Sequence, residues 1–358
     1  MKSPSRSLSN VRSLQHNAAG RVTLAAAAIA ALAAITALTG PVRAEWLGDA
    51  RPMMGTEVSV RLWAEDRATG EQLVDEVFAE AERINRLMST YIDNSRISEI
   101  NRRAADEPVV AGEELFQLLR RSLDISVLTL GAFDITYDSV GQHYDFRARQ
   151  RPDAARVETD RKLIDFRFVH LDQAAGTVAF AEPGVRINLG GIAKGYVVER
   201  GIDILRVAGI RHAIVTAGGD SRLLGDRRGH PWMVGIRDPR KDGEVAISVP
   251  LEDEAISTSG DYERYFEEDG VRYHHIIAPS TGEPATGVRS ATVFGPDAVI
   301  TDALSTSVFV MGVDQGLRLI ATLPDYESIV IDDKSRIYYS DGLQQPEPQA
   351  FDTTANGE

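Results

Sequence analysis

The chain has 358 residues, 43% hydrophobic and 26% charged, the balance of a folded protein long enough for one large or two modest domains. Its 53 acidic against 39 basic residues give a formal charge of −14, which repels nucleic acid and anionic membrane surfaces, so an anionic ligand must be met by a local cationic device such as a metal ion. The absence of cysteine excludes structural disulfides, thiolate metal sites, a cysteine nucleophile and a lipid-modified N-terminal cysteine.

Residues 1–44 read as a signal peptide. Lys2, Arg6, Arg12 and Arg21 precede an Ala-rich apolar run from Val22 to Leu38, and Ala44 offers a cleavage point before Glu45. The run is shorter than the roughly 20 residues a membrane span prefers. Cleavage would release an exported, periplasmic protein; an uncleaved segment would tether it to the inner membrane. Five basic and no acidic residues lie in this segment, so the mature chain would carry a formal charge of −19.

Val58, Val60 and Leu62 alternate within Glu57 to Leu62, which predicts a half-buried strand. Leu73, Val77, Ala81, Ile84 and Met88 form the stripe of an amphipathic helix, and Ser89 to Ser95 is a loop. A second helix runs from Glu113 to about Leu130 with Gly131 at its C′ position. Arg147 to Arg161, rich in Arg, Asp and Gln, reads as an exposed excursion. Then come a strand (Val185 to Leu189), Gly190-Gly191, a helix (Ile192 to about Val207), a strand (Ala213 to Ala217) and Gly218-Gly219-Asp220. Short strands follow around Trp232 to Ile236 and Val245 to Val249, then a last helix over about Ile300 to Met311 and closing strands at Ser328 to Ile331 and Arg336 to Tyr339. The residues after Gln344 are polar and Pro-containing, a disordered tail. No repeat or composition break divides the mature chain, which predicts one two-lobed α+β domain.

Four segments carry possible chemistry. Asn188-Leu189-Gly190-Gly191-Ile192-Ala193-Lys194-Gly195 sets two glycines between a strand and a helix, where backbone N–H groups and the helix dipole favour a phosphate; a plain turn with a solvated lysine reads equally from the spacing. Asp302 and Thr306 are an i, i+4 pair whose hard oxygens suit Mg²⁺, the alternative being a helix cap with a back-bonding threonine. His274-His275 stands beside a Pro/Thr/Gly turn; one ring must face inward, and the other can take a proton from a hydroxyl. Gly131-Ala132-Phe133-Asp134 lies where a helix ends, so it can line a cleft or simply be core and turn.

Taken in order, Met54-Gly55-Thr56, Met88 to Ser98 with Tyr91, Gly131 to Asp134, Asn188 to Gly195, Gly218-Gly219-Asp220, His275 to Gly282 and Asp302 to Thr306 resemble the ApbE family of FAD:protein FMN transferases over most of residues 50 to 340. The resemblance implies a T-fold-like α+β domain over residues 45–342, with FAD in the cleft between two lobes and a tail over 343–358. It implies that Met54, Tyr91, Ala132, Phe133, Asp134, Asn188, Lys194 and the Ile276 backbone hold FAD, and that His275 is catalytic. Mg²⁺ would be bound by the Gly191 carbonyl, Asp302 and Thr306, with Ser305 contributing through its backbone. The implied reaction moves FMN from FAD to a Thr or Ser hydroxyl of an acceptor flavoprotein, a subunit of a membrane redox complex, and releases AMP. The competing activities are hydrolysis of FAD to FMN and AMP, and flavin binding without catalysis. Three positions depart from the family: Asn188 replaces its usual Asp, and Ala278 and Ser280 replace an Asp and an Arg in the turn after His275.

Overall fold

The computed structural model describes residues 44–241 and 243–343. The signal segment, apart from Ala44, and the tail, apart from Leu343, lie outside the described residues.

The chain opens with the hairpin β1 (Glu45–Met53) and β2 (Thr56–Ala64). Met54 and Gly55, at φ 54° and 72°, form its two-residue turn, because positive φ at both positions matches the twist of the flanking strands. β2 buries Val58, Val60 and Leu62 as its alternation predicts; β1 has no such alternation and covers an edge of the sheet. Helix α1 (Arg67–Met88), capped by the Asp66 carboxylate on Thr69 N–H at 2.8 Å, turns Leu73, Val77, Ala81, Ile84 and Met88 inward. The predicted loop leads into an unpredicted helix, α2 (Arg96–Arg103), whose eight residues bury only Ile97, Ser98 and Ile100 and so show little periodicity.

After β3 (Val109–Val110), α3 (Glu113–Leu128) ends one residue earlier than Gly131 suggests. Leu130 donates to the Val127 carbonyl at 3.2 Å and Gly131 to the Ser126 carbonyl at 2.8 Å, so Leu130 is C′ and Gly131 is C″. The C′ position needs left-handed backbone, and Leu130 supplies it at φ 54° with its side chain 90% exposed. Replacing Leu130 by Gly removes a Cβ clash and no packing, so Leu130→Gly should raise stability by about 1 kcal/mol, read as a higher urea midpoint. A lower midpoint would mean the exposed side chain packs in solution.

The single turn α4 (Asp138–Gly141) precedes the segment read as an exposed excursion, which contains the helix α5 (Ala154–Asp160), capped by Asp153 and burying Val157 and Asp160. β4 (Val169–Asp172) and β5 (Thr177–Phe180) join β3 in a three-stranded sheet of order β3-β5-β4. Residues 185–189 form no strand. Their apolar side chains fill the core, and the Asn101 amide takes the place of a neighbouring strand, accepting from Ile187 N–H at 2.8 Å and donating to its carbonyl at 2.9 Å.

Helix α6 (Ala193–Val207) leads to β6 (Ala213–Ala217), β7 (Asp220–Leu224), the hairpin β8 (Trp232–Arg237) and β9 (Val245–Leu251), and β10 (Ala255–Gly260). The hairpins β11 (Tyr265–Glu268) with β12 (Val271–His274), and β13 (Ile277–Ala278) with β14 (Glu283–Pro284), precede β15 (Val288–Gly295). The last helix, α7 (Ala298–Ile320), is longer than its stripe suggested; it breaks at Gly312 (φ 78°) and resumes. β16 (Glu327–Asp332) and β17 (Ile337–Tyr339) close the chain.

Eight strands form one antiparallel sheet of order β1-β2-β6-β7-β10-β15-β16-β17. Helices α1, α6 and α7 cover one face, over Val60, Val215, Ala255 and Val293. The β8–β9 hairpin covers the other, over Leu223, Ile256, Phe294 and Ile329. A second lobe gathers α2, α3 and the small sheet around Ile97, Leu115, Leu119, Phe133, Val178 and Ile187. This two-lobed α+β arrangement brings the N-terminal ends of α6 and α7 together where the lobes meet.

Candidate functional site

The contact between α6 and α7 sets the geometry. A Cβ on Gly195 would collide with the Ala298 carbonyl and lie 2.8 Å from Asp302 Cβ, so only glycine admits this approach. α7 is capped by Asp297, whose carboxylate accepts from Val299 and Ile300 N–H at 2.9 and 3.1 Å. Asp302 is therefore not the cap. It reaches across to α6 instead, where Oδ2 accepts Gly195 N–H at 2.9 Å and Oδ1 lies 3.3 Å from Lys194 Nζ.

Lys194 is turned away from solvent, between Asp302 and the fully buried Asp220, with which it forms a short ion pair. Burial alone would lower the Lys194 pKa, but the Asp220 and Asp302 carboxylates outweigh it and hold the ammonium above the ordinary lysine range. Asp220 is pushed upward by burial and then by Asp302, against the pull of Lys194. Its Oδ1 is buried with no hydrogen-bond partner.

One turn further along α7, a Cβ on Gly191 would lie 3.3 Å from Thr306 Oγ1 and 3.2 Å from the Phe133 ring. The glycine turn and the Asp302–Thr306 face are thus neighbours. Thr306 Oγ1 is 3.2 Å and Ser305 Oγ 2.9 Å from Ser259 Oγ, and Ser305 also donates to the Asp302 carbonyl at 2.9 Å.

The histidine pair divides as strand alternation requires. His274 is core: its Nε2 lies 2.9 Å from the Ala285 carbonyl and its ring meets Phe309 edge-on at 5.5 Å. His275 takes the other side, its N–H donating to the Arg264 carbonyl at 3.1 Å, and its Nδ1 is buried without a partner. Burial, and then the charges of Arg264, His274 and Lys194, push its pKa down to about 3, so the imidazole is neutral at physiological pH. Ile276 donates to His274 Nδ1 at 3.3 Å and its carbonyl accepts Ala285 N–H at 2.9 Å, so its backbone is engaged inside the protein. The following turn closes by Gly282 N–H to the Ala278 carbonyl at 2.9 Å, and a Cβ on Gly282 would lie 3.2 Å from Val157 on α5. The supposed excursion therefore buttresses the turn behind His275.

Asn188 is also occupied. Its Oδ1 accepts Gly190 N–H at 2.9 Å, and its Nδ2 donates to Asp138 at 3.0 Å and Thr90 at 3.3 Å. Asp138 pairs with Arg186, and burial pushes its carboxyl upward against the Asn188 and Arg186 contacts. An amide at 188 avoids a second carboxylate beside Asp138. Asp134 spends Oδ1 on Thr136 N–H and hydroxyl at 2.8 and 2.6 Å and Oδ2 on Phe166 N–H at 2.8 Å, which fixes the turn carrying Phe133. Phe133 is buried, Ala132 and Met54 are half-buried, and Tyr91 is 84% exposed. The sequence reading missed Asp220, although its Gly-Gly-Asp motif was visible, and also Asp138, Ser259 and Arg264.

Asp302 and Thr306 carry side-chain oxygens beside the Gly191 turn, and Asp220, close to Asp302, leaves Oδ1 without a partner; oxygen donors of this kind fit a hard cation. Among the described residues no group of three His, Asp or Glu side chains could hold a metal, so an ion here would depend on the carbonyl and hydroxyl.

Residues 54–330 match the model of the ApbE family. The chain belongs to this family. Among similar ApbE proteins, the FAD:protein FMN transferase of Treponema pallidum (strain Nichols) is 34% identical over 85% of this chain and 89% of its own. That of Vibrio cholerae is 33% identical over 82% and 90%. The crystal structure of the ApbE protein from Thermotoga maritima superposes with a TM-score of 0.77 at 33% identity, over 83% of this chain and 97% of that one. The flavin transferase ApbE from Vibrio cholerae superposes with 0.73 at 29%, over 83% and 98%.

Proposed function

We propose that this protein is an FAD:protein FMN transferase that requires Mg²⁺, transfers FMN to a Thr or Ser hydroxyl of an acceptor flavoprotein and releases AMP. The observation carrying this reading is the meeting of the glycine turn before α6 with the Asp302–Thr306 face of α7, where Gly191 neighbours Thr306 Oγ1 and Asp302 reaches Gly195, with a neutral His275 close enough to feel the Lys194 charge. The similarity to relatives of that named activity supports it. In this reading the domain is residues 45–342, the signal segment sends it to the periplasm, free or tethered to the inner membrane by an uncleaved segment, and the acceptor, as the family resemblance implies, is a subunit of a membrane redox complex.

Ile192, at the N-cap of α6, makes no side-chain cap, and although Asp302 takes the Gly195 N–H, the glycine turn before the helix presents its positive end to the diphosphate in this reading. Gly191, Asp302 and Thr306 would hold Mg²⁺, which when bound offsets charge building on the diphosphate. His275 accepts the acceptor's hydroxyl proton while the hydroxyl oxygen bonds to the FMN-side phosphorus; the bridging P–O bond breaks and its electrons leave on AMP. An anionic ligand beside His275 raises its basicity from the low value burial sets. Lys194 anchors the Asp220 and Asp302 carboxylates.

His275→Ala should retain FAD binding and slow transfer by about 10² to 10⁴. Because the free-enzyme imidazole is held near 3, the wild-type kcat/KM should stay level as pH falls through the ordinary histidine pKa of about 6.5. An inflection there that disappears in His275→Ala would contradict the burial argument.

The activity is tested by mixing the purified mature protein with FAD, Mg²⁺ and a candidate acceptor. A fluorescent acceptor band surviving denaturing electrophoresis, with equimolar AMP and abolished by EDTA, is the expected result. AMP with free FMN and no labelled acceptor would make it a pyrophosphatase, and no AMP would make it a flavin binder.

A further inference from the structure

Three cationic side chains neighbour residues of the candidate site. Lys194 is neutralised by Asp220 and Asp302, and Arg186 by Asp138. Arg264 differs: among the described residues its guanidinium has no carboxylate partner and donates no hydrogen bond. It nevertheless has a defined place. Its backbone carbonyl takes the His275 N–H at 3.1 Å, which fixes the two residues side by side, and a methyl group on Gly55 would lie 3.6 Å from its Nη2. The guanidinium thus lies against the Met54–Gly55 turn, and its charge bears on both His275 and Tyr137.

A chain with 14 more acidic than basic side chains offers little diffuse attraction to an anion, so an uncompensated local cation adds recognition beside the metal and the start of α6. We infer that Arg264 is a substrate-binding residue that grips the phosphate on the FMN side of FAD. This rests on the flavin-transferase reading above. The fork of a guanidinium matches two phosphate oxygens, which a point charge cannot do. The carbonyl bond to His275 places that grip next to the base, so the phosphorus under attack would be held within reach of the activated hydroxyl.

The test uses competition for the FAD site by FMN and by riboflavin, which share the ring system and differ in the phosphate. In the wild type FMN should compete better than riboflavin; in Arg264→Ala that preference should collapse toward one, with FAD affinity down about 10- to 100-fold and riboflavin unchanged. Arg264→Lys, which keeps charge but loses the fork, should fall between, and an unchanged circular dichroism spectrum confirms that both variants fold. The inference is overturned if the FMN-over-riboflavin preference survives in Arg264→Ala, if the wild type shows no preference, or if riboflavin binding falls as far as FMN binding. A wild-type protein that binds no FAD would instead defeat the transferase reading itself.

Discussion

Asp302→Asn should lower flavin transfer by about 10³-fold or more with little loss of folded structure. The reasoning is electrostatic: Asn keeps an oxygen to accept Gly195 N–H but removes the one carboxylate on the α7 face that neighbours Thr306 and Gly191. The fold tolerates this because Lys194 retains Asp220, and Asp220 loses the like charge that helps push its pKa upward. A stability cost of about 1 to 2 kcal/mol is expected from the weakened hydrogen bond, far less than the loss of activity implies. Steady-state transfer at saturating Mg²⁺, alongside urea denaturation, separates the two effects. Unchanged turnover would remove Asp302 from the site.

Gly195→Ala should act on the fold and the site together. The new Cβ meets the Ala298 backbone carbonyl and Asp302 Cβ at 2.8 Å, and a backbone atom cannot swing aside as a flexible side chain can. The helices must separate, at a cost near the top of the overpacking range, about 3 kcal/mol. Separation also breaks the Gly195–Asp302 bond, so transfer should fall even in the fraction that folds. Thermal unfolding and FAD titration of the same sample check this; a wild-type melting temperature with wild-type affinity would show that the two helices do not touch in solution.

What the sequence disclosed depended on how local the cause was. The α1 stripe and the β2 alternation are periodic over consecutive residues, and both elements are where the pattern puts them. Asp302 and Thr306 could be read as one helical face, but not that Asp302 would accept a hydrogen bond from α6, 107 residues away in the chain. Lys194 illustrates the same limit: its place in a turn suggested a phosphate contact, whereas the fold surrounds it with carboxylates from β7 and α7. Asp220 stood in a visible Gly-Gly-Asp motif, but its role depends on Lys194 and Asp302, which only the fold brings to it.

The errors have comparable causes. Val185 to Leu189 has the composition of a strand, yet Ile187 is paired by the Asn101 side chain and Asn188 by the single carbonyl of Ile135, so no ladder forms. Arg147 to Arg161 reads as solvated because Arg, Asp and Gln dominate, and most of it is exposed, but Val157 and Asp160 are buried and pack α5 against the turn behind His275. At the end of α3, the eye falls on Gly131, while the left-handed C′ position belongs to Leu130.

The most direct measurement is a crystal structure of the mature protein with FAD and Mg²⁺. The diphosphate should lie across the start of α6, with the metal about 2.0 to 2.1 Å from Asp302 and Thr306 oxygens and the FMN-side phosphate toward His275. A flavin bound elsewhere, or a metal bound away from Asp302, would contradict the account.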